Sequence, residues 1–85
     1  MTSPKLPHSD DLKTLGRALA ELRKSASITQ VQASEQVGIR SRFISEVECG
    51  NRGMRWPTLL RVLGVYGADL HDLADALDRA EHDAK

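Results

Sequence analysis

Leu12, Leu15, Leu19, Leu22 and Ala26 recur at alternating intervals of three and four residues, the spacing that lines one face of an α-helix. This stripe predicts a first helix from about Asp10 to Ser25, capped by Ser9 or Asp10. A second helix is predicted from about Gln30 to Val37. Thr29 is a good N-cap, Gln32 stands three residues later as in a capping box, and Gly38 then tolerates the left-handed turn that ends a helix, with apolar Ile39 following it. A third helix, Ser41 to Cys49, places Ile44 and Val47 on one face and Arg40, Ser41, Arg42, Ser45 and Glu46 elsewhere on the cylinder. Gly50, Asn51 and Gly53 mark a loop. The fourth helix begins near Trp56, where Pro57 is acceptable because first-turn amides have no intrahelical acceptor. Leu59, Leu60, Leu63 and Tyr66 supply its buried face, Trp56 reads as a core anchor, and Gly67 closes it. A fifth helix runs from about Asp69 to Arg79, with Leu70, Leu73, Ala74 and Leu77 on one side and Asp72, Asp75 and Asp78 on the other. No stretch alternates with period two, so the expected fold is all-α, a five-helix bundle.

Eighty-five residues make one domain with a small core. Its expected organisation is a flexible arm over residues 1–9, with two prolines and no periodicity, a folded unit over 10–80 and a frayed tail over 81–85. The single Cys49 excludes an intramolecular disulfide, and no apolar run is long enough for a signal peptide or membrane span, so a reducing, cytoplasmic setting without membrane contact is expected. His8, His71 and His82 lack metal-ligand spacing with one another or with Cys49. No glycine-rich phosphate loop, nucleophile elbow or catalytic carboxylate pair is present. The expectation is a protein that is not an enzyme and takes neither metal nor cofactor.

Net charge is zero and the sequence pI is about 6.8, where a DNA-binding domain is ordinarily basic. The charge is segregated, however. Between Val37 and Val65 stand five arginines (Arg40, Arg42, Arg52, Arg55, Arg61) against Glu46 and Glu48, whereas from Tyr66 onward six acids face two bases. The basic segment begins in the second half of the Ile28–Gly50 cassette, a helix, short turn and second helix whose polar side suits a duplex major groove, and runs on through the loop and the fourth helix, where Arg52, Arg55 and Arg61 supply the excess.

In this cassette the chain resembles the Cro-type helix-turn-helix (XRE) family of lambda-repressor-like DNA-binding domains, over roughly Leu12 to Leu77. The resemblance is carried by Leu22 and Arg23, Thr29 and Gln30, Gly38, Ile44, Ser45, Val47, Glu48 and Gly50, and then TLLRVLGVYGADLHDL. It implies that Arg40, Ser41, Arg42 and Glu46 face base edges. Arg42 is the best reader among them, since a guanidinium can bond guanine O6 and N7 together; Glu46 either accepts from cytosine N4 or orients Arg42, with orientation favoured. Gln30, Asn51, Arg52 and Arg55 match phosphate-contacting positions, with a local capping role as the alternative for Gln30. Arg23 and Glu48 match a structural ion pair. Arg40 stands where relatives often carry a small polar N-cap, so Ser41 is the alternative cap. Phe43 either touches a thymine methyl or, more in keeping with its neighbours, packs against the second or fourth helix. Ala33 and Ser34 stand where the family usually has Leu and Ala, so the second helix is underpacked by that standard, a deficit that Phe43 could fill.

The implied function is a sequence-specific DNA-binding transcriptional regulator, a repressor, acting as a homodimer on a palindromic operator in double-stranded DNA. The dimer seam is expected at Val65, Tyr66, Leu70 and Leu77, residues also needed to close the core. Two alternatives stand beside it: an antitoxin that binds DNA while a protein partner takes the acidic C-terminal helix, and an interaction module without DNA binding.

Overall fold

Five helices and no strands make up the described part of the chain, α1 (Ser9–Ser25), α2 (Gln30–Val37), α3 (Ser41–Glu48), α4 (Trp56–Val65) and α5 (Leu70–Asp83). The computed structural model describes residues 9–83. The arm expected over 1–9 therefore lies outside the described residues except for Ser9, which is already helical. Helix α1 packs against α5 and α3, and α2 packs against α3 and α4. Leu19, Val47 and Val62, from α1, α3 and α4, are the largest fully buried side chains.

The expected capping of α2 is present in full. Thr29 Oγ1 accepts from the Gln32 amide at 3.0 Å, the Thr29 amide donates to Gln32 Oε1 at 2.9 Å, and Gly38 ends the helix at φ 86°. Helix α5 opens with a reciprocal pair of the same kind, Asp69 and Asp72 each donating a backbone N–H to the other's carboxylate at 2.9 Å. The N–H of Asp72 holds the Asp69 carboxyl below the ordinary carboxylate range.

Four assignments on α4 and α5 are corrected by the packing. Trp56 is 56% exposed and anchors nothing in the core; it sits at the outer end of α4, and Met54 before it packs inward instead. Leu60 is exposed as well, because the buried arc of α4 is taken up by Leu59, Val62, Leu63 and Tyr66. On α5 the buried stripe is Leu73, Ala76 and Ala80, leaving Ala74 and Leu70 exposed. That stripe continues past the expected end at Arg79, and Arg79 itself donates to both Glu21 carboxylate oxygens at 2.9 and 2.8 Å. Residues 81–83, expected to fray, are accordingly helical, while 84–85 lie outside the described residues.

Gly16 stands within the α1 stripe, where pattern alone reads a glycine as a tolerated defect. In the fold it is the contact point of α1 with the end of α3: a Cβ there would overlap the Val47 carbonyl oxygen and come within 2.7 Å of that of Glu48. Ser27 gives no sign in the sequence of the turn it makes, since the residue type is not a glycine. It carries φ 59°, the left-handed turn after α1, with its amide donating to Lys24 O at 2.9 Å and the Ile28 amide to Arg23 O at 3.2 Å. A glycine usually fills this helix-ending position, because a Cβ costs about 1 kcal/mol there. Ser27→Gly is therefore expected to raise unfolding stability by about 1 kcal/mol, measured by urea denaturation; a loss of stability would mean that the serine side chain contributes more than the strain it carries.

Candidate nucleic-acid interface

The interface is built on a buried polar joint between α1, α2 and α3. Arg23 Nε and Nη2 donate to the two carboxylate oxygens of Glu48 at 2.7 and 2.9 Å, and Arg23 Nη1 donates to the Ile28 carbonyl at 2.8 Å. The hydrogen bonds to Glu48 raise the pKa of the guanidinium further. Both side chains are nearly enclosed, with 11% and 7% of their surface accessible. The resemblance thus located a fork-to-fork ion pair joining the end of α1 to the end of α3. Gln30 adds a third member, its Nε2 donating to Glu48 Oε1 at 2.9 Å. This contact is neither of the roles foreseen for Gln30, and it ties the first residue of α2 to the last of α3. Tyr66 lies against the same joint; burial, followed by the negative charge of Glu48, pushes its hydroxyl up to about 12.

With α3 held from behind, its other side faces outward. The helix starts at Ser41 with Arg40 as N-cap (φ −74°, ψ 142°), so the alternative with Ser41 as the cap does not hold. No side chain caps this end; the Phe43 amide donates to the Arg40 carbonyl at 3.0 Å, which leaves the Ser41 and Arg42 amides for an outside acceptor. Arg40, Arg42, Phe43, Glu46 and Arg52 line one shallow depression on this surface, with Ser41 half-buried beside it. Arg40 and Arg42 are exposed and make no ion pair among the described residues. Glu46 does not orient Arg42 as favoured from the sequence; its carboxylate lies 3.4 Å from Arg52 Nη1. Arg52 also stands over the Phe43 ring, 5.0 Å from its centroid, and Phe43 is half-buried and packs against the core.

Arg52 reaches back over α3 because of how that helix ends. Gly50 adopts φ 79°, its amide donates to Val47 O at 3.0 Å, and the Asn51 amide donates to Glu46 O at 2.9 Å, the paired bonds of a left-handed helix stop. The chain reverses there, and Asn51, Arg52 and Arg55 emerge on the loop as exposed residues. Asn51 and Arg55 are not drawn into the depression. The four seam candidates separate: Tyr66 is 7% exposed and belongs to the core, Val65 and Leu77 are half-buried against it, and Leu70 is 48% exposed.

A family model described as a helix-turn-helix domain matches residues 14–77. The chain belongs to that family. The match spans α2, the Gly38 turn and α3, so the family and the fold are those of DNA-binding regulators. Solved structures agree on the fold. The clp gene regulator ClgR from Corynebacterium glutamicum superposes with a TM-score of 0.77 at 23% identity, over 93% of this chain and 97% of that one. A second crystal structure of that regulator gives 0.79 at 23% identity, over 86% and 79%. The restriction-modification controller protein C.AhdI from Aeromonas hydrophila gives 0.71 at 23% identity, over 75% and 97%. No curated protein matches the chain in sequence. The architecture is the lambda-repressor-like bundle expected from the cassette. Among the described residues there is no His/Cys/Asp/Glu group that could hold a metal ion and no helix long and apolar enough to cross a membrane.

Proposed function

We propose that this helix-turn-helix protein is a cytoplasmic transcriptional repressor that binds a palindromic operator as a homodimer, with α3 in the major groove. The observation that carries the reading is the outward side of α3: two exposed, unpaired arginines and the uncapped amides of Ser41 and Arg42, presented by a helix whose back is locked through Glu48 to α1 and α2. An arginine with no intramolecular partner gives up no ion pair on meeting a guanine edge, and rigid support lets its two donors be aimed. Asn51 and Arg55, exposed on the loop after α3, grip phosphates beside the groove, and Gln30 at the start of α2 keeps a second amide N–H for the same purpose. Ser41 and Arg40 sit at the end of α3 that enters first. Dimerisation follows from size, because one domain of 85 residues makes too few base contacts for a unique genomic site, and two recognition helices a helical turn apart double them. The seam centres on exposed Leu70 with the outer edges of Val65 and Leu77. Occupying a promoter in this way represses it.

A mobility-shift assay against fragments of the source genome tests DNA binding, and footprinting of a shifted fragment tests the palindrome. Arg42→Ala should leave the circular dichroism spectrum unchanged, weaken the operator by about 1–3 kcal/mol and relax base preference at one symmetric position in each half-site. An equal loss on operator and unrelated DNA would remove Arg42 from base reading.

A further inference from the structure

The depression on α3 contains an acid where DNA would lie, and two observations bear on it. The Glu46 carboxylate is 34% accessible and faces the same surface as Arg40 and Arg42. Arg52, arriving from the loop, lies against both Glu46 and the Phe43 ring, two residues three apart on one side of α3. A bare carboxylate at this place would repel the phosphate backbone; one whose charge is balanced by a guanidinium can approach a base. We propose that Glu46 is a base-reading residue that selects cytosine, and that Arg52 is the residue that positions and neutralises it. The inference rests on α3 being the reading helix.

The chemistry follows from what each group can offer. A carboxylate only accepts hydrogen bonds, and among the major-groove edges the cytosine N4 amine is the donor it most directly suits. Arg52 engages one carboxylate oxygen, Oε1, which leaves Oε2 for the base. Arg42 stands one turn before Glu46 on the same helix, so a donor for guanine and an acceptor for cytosine lie side by side. Either contact of Arg52 is weak alone because both pairs are exposed, but the ring and the carboxylate together restrict the guanidinium to this place. On this reading Arg52 acts through Glu46, whereas Arg55 acts on phosphate directly.

Selection from a pool of random duplexes tests the proposal, using the full chain and its Glu46→Ala, Arg52→Ala and doubly substituted variants, each first shown by circular dichroism to be folded. The parent should enrich cytosine at one position in each half-site. Glu46→Ala should lose the preference at that position alone, and Glu46→Gln should move it towards adenine, whose N6 and N7 suit an amide. Arg52→Ala should bind the selected site at least tenfold more weakly than the parent, and the double variant should bind it more tightly than Arg52→Ala, since no unbalanced carboxylate remains. An unchanged base profile in Glu46→Ala overturns the proposal while leaving the regulator reading intact. So does a double variant that is weaker than Arg52→Ala, the mark of an arginine that grips phosphate independently. A parent that enriches no sequence overturns the role of α3 itself and this inference with it.

Discussion

Replacing Arg23 with alanine is expected to destabilise the protein by about 3–5 kcal/mol and to abolish operator binding without any contact to DNA being touched. The substitution removes three hydrogen bonds at 2.7, 2.9 and 2.8 Å and leaves the Glu48 carboxylate, 7% accessible, with Gln30 as its remaining partner. Domains have about 5–15 kcal/mol in total, and at the lower end of that range, where so small a core places this one, a substantial fraction unfolds at ordinary temperature. The Gln30 contact and the Ile28 carbonyl depend on the same joint, and losing them loosens the angle between α1, α2 and α3. Arg23→Lys retains the charge but not the planar fork, and is expected to recover only part of the loss. Urea denaturation gives the stability, and a mobility shift repeated at low temperature separates unfolding from direct loss of contact. A cost below about 1 kcal/mol, the range of exposed pairs, would show that the joint is solvated and does not support α3.

Operator affinity should fall steeply with salt. Residues 37–65 carry an excess of three positive charges per chain, five arginines against two glutamates, and a dimer presents twice that. If about six phosphates are neutralised, log affinity falls against log salt with a slope near −5, about a thousandfold loss between 50 and 200 mM. The whole protein has no net charge, and the acids after Tyr66 are carried mainly on α5, a separate helix that packs on α1. The local excess and not the total therefore governs the response. Titrating a labelled operator at several salt concentrations measures the slope directly. A slope near zero would remove the phosphate contacts assigned to this surface and with them the groove-bound reading of α3; a slope near half the expected value would point to a monomer on a single half-site.

The apolar stripe of α1, the bounds of α2 with its Thr29–Gln32 cap, the Gly38 turn and the start of α4 at Trp56 were all legible in the sequence, as was the pairing of Arg23 with Glu48 through the family resemblance. These features are set within a few residues of chain, by helical periodicity and by caps whose partners stand three residues apart, or by a motif whose spacing is itself the signal. What the chain could not reveal by pattern depends on neighbours distant in sequence. Whether Trp56 and Leu60 are inside or outside is decided by which arc of α4 meets the core, and their apolar character is the same either way. The length of α5 follows from Ala76 and Ala80 packing into the core, with Arg79 reaching Glu21 beside them, and the closeness of α1 to α3 from the missing Cβ of Gly16. Glu46 has Arg42 at helical spacing, yet its partner is Arg52, brought back by the left-handed turn at Gly50. Local hydrogen bonding and periodicity thus determine the elements from the sequence alone, whereas the charge pairs and close approaches that shape the reading surface exist only once the helices are packed.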